Sequence, residues 1–161
     1  MPVLYDSTLR QYLNALAAKE PVPGGGSAAA LVGSLGVALL SMVIQYSLGK
    51  SKQKNTEKKL KRLLSKTEEI RKRLLLLVDL DAKAYLKVIQ SRKKSLQLKR
   101  KALLQARKVP MEVCRLSYTA IQVAPFLVQH GNKYLISDVE CAAEMLLAAF
   151  NSAKVNVEIN Q

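Results

Sequence analysis

The spacing of hydrophobic residues near the start of the chain is that of an amphipathic helix. Four apolar residues recur at i, i+3, i+4 and i+7: Leu9, Tyr12, Leu13 and Leu16. Residues at this spacing share one face of a helix, so the pattern predicts a short helix with one buried face. Asp6 or Ser7 is expected to cap its first turn, and Pro21 lies beyond its end.

The next segment, from Ala28 to Leu48, contains no charged residue and is apolar or small on every face. It predicts a helix that is buried all round, from about Ser27 to Leu48, and Gly49 suits the position just past its end. At about 1.5 Å per residue this helix is long enough to cross a bilayer. Its scattered serines, its many alanines and glycines and the lack of an aromatic belt favour the core of a bundle, with no membrane partner.

Within this segment three small residues recur at helical spacing: Ala29, Gly33 and Gly36. They form a shallow ridge on one side of the predicted helix, because none of them carries a long side chain. Such a ridge lets a second helix approach closely. We expect that second helix to be a neighbour in the bundle or the same helix of a symmetry-related copy.

From Asn55 to Lys108 the sequence has a helical apolar stripe and contains neither glycine nor proline. A straight helix of this length would measure about 80 Å, whereas a globule of this size is only about 40 Å across. We therefore predict that the segment forms two helices. The polar stretch Gln90–Ser95 is the expected break, and the second helix is expected to run from about Leu96 to Arg107.

The last third of the chain predicts two more helices. Pro110 suits the first position of a helix, Pro125 is expected to kink that helix, and Gly131-Asn132 is expected to end it. Ser137 and Glu140 have the spacing of a capping box, which predicts the start of the last helix.

Composition agrees with helices rather than sheets. Apolar residues make up 49% of the 161 residues, aromatic residues only 5%, and there is no tryptophan. The expected fold is therefore all-α: an antiparallel helical bundle with a long central buried helix, forming a single domain over residues 1–161.

The start of the chain lacks the basic and apolar regions of a signal peptide, which favours a cytoplasmic protein. In that compartment Cys114 and Cys141 are expected to be reduced core residues. Their spacing is not that of a metal-binding motif, so no metal site is expected.

The chain is strongly basic, with a net charge of +14. Most of its lysines and arginines lie between Lys50 and Lys108. Such a surface attracts polyanions, namely nucleic acid, an acidic membrane or a small ligand with several carboxylates, unless it is simply the solvated face of a helix. Tyr85 is the only aromatic residue in the segment, so stacking on single-stranded bases is poorly supported and no nucleic-acid partner is expected.

A glycine-rich loop, Pro21-Val-Pro-Gly-Gly-Gly-Ser27, precedes the apolar segment. Gly24–Gly26 leave their backbone N–H groups uncovered, and Ser27 is a good N-cap residue. Uncovered N–H groups and the positive end of the helix dipole make such a loop a binding site for an anion. The same residues are equally typical of a tight turn that lets the helix pack closely.

Asp81 is the residue most suggestive of chemistry. It shares a helix face with three apolar residues of the stripe: Leu77, Val78 and Tyr85. Asp79, two residues earlier, is predicted to point off that face. A carboxylate in the core must be paired, hydrogen-bonded or neutralised by a raised pKa. A raised pKa suits general acid–base catalysis near neutral pH, while a buried structural hydrogen bond is the alternative.

Five segments occur in an order that resembles the cyclodeaminase/cyclohydrolase family of folate enzymes. They are the stretch Pro21-Val-Pro-Gly-Gly-Gly-Ser-Ala-Ala-Ala-Leu-Val-Gly-Ser-Leu-Gly36, Val78-Asp-Leu-Asp-Ala-Lys-Ala-Tyr85, Val109-Pro-Met-Glu-Val113, Gly131-Asn132 with Ser137-Asp-Val139, and Asn156-Val-Glu-Ile-Asn160. The resemblance covers nearly the whole chain.

The resemblance implies a dimeric, all-helical enzyme that acts on a tetrahydrofolate derivative without a tightly bound cofactor. The cyclodeaminase reaction closes 5-formiminotetrahydrofolate to 5,10-methenyltetrahydrofolate and releases ammonia. The cyclohydrolase reaction adds water to the methenyl bridge and opens it to 10-formyltetrahydrofolate. Both pass through a tetrahedral carbon between two nitrogens and need proton transfers. The polyglutamate tail of folates is one hypothesis for the basic surface.

The resemblance also implies roles for individual residues. Asp81 would shuttle protons, with Asp138 as a second catalytic carboxylate, although an acid in the first turn of a helix also complements the helix dipole. Gly24, Gly25, Gly26 and Ser27 would bind the substrate, together with Asn156.

The chain departs from the family pattern in the short segment Gln90–Ser95, at Arg107 and at Glu140. The main alternative function is therefore a non-catalytic basic helical interaction module, followed by a nucleic-acid binder. Retained folate turnover would separate the first interpretation from the other two.

Overall fold

The computed structural model describes residues 3–160, which form helices and turns without any strand. The α-helices are α1 (Leu9–Ala17), α2 (Gly25–Ser47), α3 (Lys54–Ser91), α4 (Leu96–Ile121), α5 (Ala124–His130) and α6 (Ile136–Ile159). Two short 3-10 turns, Leu4–Asp6 and Lys133–Leu135, precede α1 and α6. The predicted all-α class is confirmed.

Four long helices form the bundle, and each is antiparallel to its neighbours. Helix α2 contacts α3 on one side and α6 on the other, and α4 closes the ring by packing against both α3 and α6. The side chains of α2 supply the middle of the core, where Val37, Leu40, Val43 and Ile44 are completely buried. This confirms the long central buried helix, but it is not buried on every face as predicted, because Leu35 and Tyr46 are 47% and 58% exposed.

Helix α2 is also long and apolar enough to cross a membrane by length and composition. In the bundle, 61% of its most apolar stretch is buried inside the protein. Its hydrophobicity is therefore used in packing against α3, α4 and α6, as expected for the core helix of a bundle.

The small-residue ridge of α2 is used within the chain. A methyl group at Gly36 would lie 3.0 Å from the backbone oxygen of Ala142 and 3.0 Å from Cγ of Leu146, both on α6. A methyl group at Gly33 would lie 3.3 Å from Oγ of Ser117. At Gly33 and Gly36 the ridge is thus covered by α4 and α6, so of the two expected partners the neighbour within the bundle is the correct one.

The starts of two helices, α1 and α6, differ from the sequence-based predictions. Helix α1 is capped by Thr8, which forms a capping box with Gln11, rather than by Asp6 or Ser7. Helix α6 begins at Ile136 without a side-chain cap, so Ser137 lies inside the first turn and forms no capping box with Glu140.

The proline predictions are partly wrong. The break between α3 and α4 falls within Gln90–Ser95 as expected. Pro110, however, is buried inside α4 rather than at the start of a helix, so packing of this helix outweighs the loss of one backbone hydrogen bond. Pro125 occupies the first turn of α5, and the chain breaks before it instead of kinking at it. Gly131 ends α5 and Gly49, with φ +76°, follows α2, as predicted.

Two other predictions from the sequence, the exposure of Asp79 and the burial of the cysteines, need correction. Asp79 does not point away from the core: it is 3% exposed, and its carboxylate accepts a hydrogen bond of 2.8 Å from the backbone N–H of Leu4. This bond ties the N-terminal turn to α3. Cys141 is exposed, so it is not a core residue, whereas Cys114 is partly buried and packs against the edge of the core.

We predict that Gly36→Ala destabilises the protein by roughly 1–3 kcal/mol, because the added methyl group meets the backbone of α6 and forces the helices apart. Gly25→Ala is the matched control in the same helix, since its methyl group would make only an ordinary contact, 3.7 Å from Asn156. Urea unfolding of both variants measures the difference. Equal stability of the two would contradict the close packing of α2 on α6.

Candidate active site

The first turn of α2 and a carboxylate of α3 form the centre of the candidate site. Helix α2 begins at Gly25, after the N-cap residue Gly24. Asp81 lies on α3 beside this turn, and a methyl group built on Gly26 would overlap its carboxylate oxygens. Gly26 is therefore required for close approach, so the tight-packing interpretation of the loop is correct at this residue.

Partial burial controls the protonation of Asp81. Removal of the carboxylate from water raises the pKa of Asp81 to about 6, and a hydrogen bond from the backbone N–H of Ser27 offsets part of that rise. The carboxyl group can therefore both give and take a proton near neutral pH.

Ser27 supports the site differently from the prediction. It is not the N-cap of α2, because that position is held by Gly24 and Ser27 lies within the first turn. Its side chain is completely buried, and its Oγ lies 3.0 Å from the hydroxyl of Tyr12 on α1. Ser27 thus connects α1 to the turn that contacts Asp81.

Tyr12 is a site-supporting residue that the sequence did not reveal. It appeared only as one of four apolar positions on α1, yet it is 4% exposed while Leu9 and Leu13 on the same face are 73% and 58% exposed. Burial raises the pKa of Tyr12, the hydrogen bond with Ser27 lowers it, and the negative charge of Asp81 adds to the rise. Tyr12 is therefore the residue that attaches α1 to the site.

A cavity of about 260 Å³ opens beside Asp81. Its walls come from the glycine-rich loop, from α3 and α4, and from the end of α6: Pro21, Val22, Gly24, Gly25, Gly26, Asp81, Ala84, Tyr85, Ala106, Asn156 and Asn160. The structure thus brings together Asp81, the three glycines and Asn156 from distant parts of the sequence.

Asn156 faces the first turn of α2 from the opposite wall. Its amide atoms lie 3.7 Å and 4.0 Å from the position that a Cβ on Gly25 would occupy. The Nδ2 group donates a hydrogen bond of 2.8 Å to the backbone oxygen of Ser152, so Oδ1 remains to accept from a ligand. Asn160, one turn later, adds a second amide to the same wall.

Asp138 does not share this cavity. It lies in the first turn of α6, whereas Asn156 lies near the other end of the same helix, about 27 Å away at the usual rise per residue. Within one chain, Asp138 and Asp81 therefore cannot act on the same substrate atom.

Metal binding is not indicated by the described part of the chain. Among residues 3–160 no group of three or more His, Cys, Asp or Glu side chains is placed to hold a metal ion. His130 instead packs against Phe126, with ring centroids 4.7 Å apart.

The arrangement is suited to acid–base chemistry on a polar ligand. A carboxyl group that titrates near neutral pH stands beside the positive end of a helix dipole, and the helix has no side-chain cap. The free N–H groups of the turn can stabilise negative charge on a ligand, while Asp81 transfers a proton.

A family model described as formiminotransferase-cyclodeaminase matches residues 8–161. The chain therefore belongs to the formiminotransferase-cyclodeaminase family, and the sequence-based resemblance is confirmed.

Relatives with two different activities are similar to this chain. A methenyltetrahydrofolate cyclohydrolase from Methylorubrum extorquens is 34% identical over 96% of this chain and 79% of its own length. A formimidoyltransferase-cyclodeaminase from Rattus norvegicus is 32% identical over 98% of this chain, which spans 31% of the rat protein.

The fold has a solved counterpart. The crystal structure of a formiminotetrahydrofolate cyclodeaminase from Thermotoga maritima superposes with a TM-score of 0.93 at 34% sequence identity, over 96% of this chain and 78% of that chain. The bundle is therefore shared with that protein.

We predict that Asp81→Asn stabilises the fold in a pH-dependent manner. The folded-state pKa of about 6 lies above the ordinary value of 3.8, so the native state binds more protons than the unfolded state between these values. Wild-type stability therefore falls as pH rises through this window, and above it the buried charge costs roughly 2–3 kcal/mol. An asparagine carries no such charge, so the variant should gain stability at pH 7.5 and lose that gain near pH 4.

Urea unfolding at pH 4, 6 and 7.5 measures this effect. Asp6→Asn, which replaces an exposed aspartate, is the control and should show no comparable gain. Wild-type-like stability of Asp81→Asn at pH 7.5 would mean that Asp81 carries no burial cost.

Proposed function

We propose that this chain is a folate one-carbon enzyme, either a formiminotetrahydrofolate cyclodeaminase or a methenyltetrahydrofolate cyclohydrolase. The observation that carries the proposal is the Asp81 carboxyl group, whose pKa is raised to about 6 beside the uncapped first turn of α2. The relatives named for these two reactions support the substrate class.

In the cyclodeaminase reaction, N10 of the folate attacks the formimino carbon and a tetrahedral intermediate forms. The formimino group reacts in its protonated form, so its nitrogen becomes an amine in the intermediate. The Asp81 carboxylate accepts the proton that N10 loses and then donates it to this amine, which leaves as ammonia. In the cyclohydrolase reaction, Asp81 in its ionised form accepts a proton from water as the water oxygen adds to the methenyl carbon. It then returns this proton to N5 as the bond between N5 and the bridge carbon breaks, and the hydroxyl group of the intermediate loses its proton to solvent, which leaves 10-formyltetrahydrofolate. One carboxyl group with a pKa near neutrality can serve either sequence.

The other residues of the cavity bind and orient the substrate in this scheme. The N–H groups of Gly24–Gly26 and the amide of Asn156 offer hydrogen bonds from opposite walls. Ser27 and Tyr12 hold the turn behind the carboxylate. We assign no step to Asp138 within the same chain, and the scheme uses no resident cofactor. A cytoplasmic location remains a prediction.

The main alternative, a non-catalytic basic helical interaction module, is supported only by the basic surface. It assigns no function to the partial burial of the Asp81 carboxylate or to the close approach of this carboxylate to Gly26. We therefore favour the enzyme.

The activity is tested by absorbance of the methenyl chromophore. Loss of signal from 5,10-methenyltetrahydrofolate indicates a cyclohydrolase, and gain of signal from 5-formiminotetrahydrofolate indicates a cyclodeaminase. Asp81→Asn should fold and lose turnover by at least roughly 100-fold, since positioned acid–base groups contribute about that much or more. Asp6→Asn is the control that should keep turnover. Full turnover by Asp81→Asn would remove Asp81 from the mechanism.

We also propose a homodimer, through the outer face of α4 and α6. Tyr118 and Met111 are 62% and 51% exposed there, beside an apolar depression of about 360 Å³ that includes Phe150 and Val157. Exposed apolar surface of this kind commonly marks a protein interface.

Sedimentation equilibrium at micromolar concentration should give twice the chain mass of 17.8 kDa. Tyr118→Lys should shift the protein to monomer, because it places a charge in the apolar face. Tyr134→Lys, at a position that is 93% exposed on the turn before α6, should remain dimeric. A monomeric wild type would exclude the dimer.

A further inference from the structure

Helices α3 and α4 extend beyond the other long helices as a hairpin. The start of α2 and the end of α6 both line the Asp81 cavity. Helix α3 continues past Asp81 through residues 82–91, a length of about 15 Å, and α4 returns from Leu96. The connection and the first residues of α4, residues 92–100, form the hairpin tip. Because α2 and α6 end short of it, the hairpin tip is open to solvent, and residues 92–98 are all exposed.

The hairpin tip is a cluster of positive charge without acidic residues. Its basic side chains are Arg92, Lys93, Lys94, Lys99 and Arg100. No aspartate or glutamate occurs anywhere in residues 82–111, so none is near in sequence. The five basic side chains also form none of the salt bridges found within residues 3–160. Their charge is therefore not neutralised by the described part of the chain.

Two leucines are exposed among these charges. Leu96, the first residue of α4, is 81% exposed, and Leu98 is 48% exposed. One exposed leucine on a protein surface is ordinary, but two of them at the protruding end of a basic hairpin are a distinct feature. The hairpin tip is thus suited to a partner that offers negative charge and an apolar layer at the same place.

A membrane that contains anionic lipids offers both. Its headgroups attract Lys and Arg side chains near the surface, and the boundary of the acyl chains accepts leucine side chains. The long basic side chains can then reach back to the headgroups. Helix α4 begins at the hairpin tip without a side-chain cap, so the positive end of its dipole adds to the attraction.

Other partners match the hairpin tip less well. Nucleic acid would pair with the charges but not with the leucines, and residues 86–117 contain no aromatic side chain for stacking on bases. A second copy of the hairpin tip would bring like charges together, which opposes association.

We propose that the hairpin tip docks on the surface of an anionic membrane, with Leu96 and Leu98 inserted at the level of the headgroups. The docking is peripheral, because α2, the one described helix long and apolar enough to cross a membrane, packs in the core of the bundle. This proposal departs from the sequence-based expectation of no membrane partner, which rested on the composition of α2. It does not depend on the proposed folate reaction.

Insertion is tested by fluorescence, because the chain contains no tryptophan and a single one reports its own surroundings. Leu96→Trp places the probe at the hairpin tip. Tyr134→Trp is the control, at a position that is 93% exposed on the turn before α6, at the other end of the bundle. Each variant is mixed with vesicles of phosphatidylcholine that contain about 30% phosphatidylglycerol, an anionic lipid.

The emission of Leu96→Trp should shift to shorter wavelength on these vesicles, and phosphatidylcholine brominated in its acyl chains should quench it. Tyr134→Trp should show neither change, and vesicles of phosphatidylcholine alone should leave both variants unchanged. Equal responses of the two variants, or no response of Leu96→Trp, would overturn the proposed insertion.

The contribution of charge is tested by sedimentation with the same vesicles. Lys93→Gln with Arg100→Gln removes two exposed charges from the hairpin tip, and Lys61→Gln with Lys66→Gln removes two exposed charges elsewhere on α3. The tip variant should lower the partition coefficient roughly tenfold or more, since each basic residue near an anionic surface contributes several-fold. The control, with the same net charge, should lower it by less than about twofold.

Three results would contradict the docking. They are a wild type that does not sediment with anionic vesicles, an equal loss of binding in the two double variants, and a wild type that binds a DNA duplex while leaving the vesicles unbound. The last result would assign the hairpin tip to nucleic acid.

Discussion

The architecture depends on one constraint: helix α2 is apolar along its whole length, and most of its surface must be covered. Helices α3 and α6 run antiparallel along its flanks, and α4 adds to the cover, while Leu35 and Tyr46 on the remaining face stay exposed. Antiparallel packing brings the last third of α3 and the end of α6 to the first turn of α2. The same requirement that builds the core therefore brings Asp81 and Asn156 to one place.

Close approach is the second consequence of this packing. Gly33 and Gly36 let α4 and α6 lie against α2, and Gly26 lets a carboxylate lie against its first turn. Near the middle of α2 this proximity produces only a tight core. At the N-terminal end of the helix, close packing removes the Asp81 carboxyl group from water beside uncapped N–H groups. The pKa of this carboxyl group rises there, so the packing that forms the core also makes the group suitable for proton transfer. Helix α1 is anchored to the core through Tyr12, the one residue of this short helix that is buried, and Tyr12 also contacts Ser27 in the first turn of α2.

The positions of the helices could be predicted from the sequence wherever hydrophobic periodicity determines them. The stripe predicted the core-facing position of Asp81, and the polar stretch predicted the break after Ser91. Helix ends were harder to predict, because several neighbouring residues could serve as the cap and local geometry decides between them, as at Thr8 and Gly24. At Pro110 tertiary packing outweighs local preference, because α4 continues through this residue although proline disfavours the interior of a helix. Asp79 was misjudged because its partner, the N–H of Leu4, lies far away in sequence. The contact of Tyr12 with Ser27 depends on which helices meet, and the hydrophobic pattern of a single sequence does not show that.

The central claim is that Asp81 titrates near neutral pH in its partly buried position. Carbon-13 NMR of protein labelled at the aspartate carboxyl groups tests it directly, with Asp81→Asn identifying the resonance. We predict a titration midpoint at about pH 6 for Asp81. A midpoint at or below the ordinary aspartate value of 3.8 would contradict the account, because the carboxyl group would then have no protonated form at neutral pH to donate.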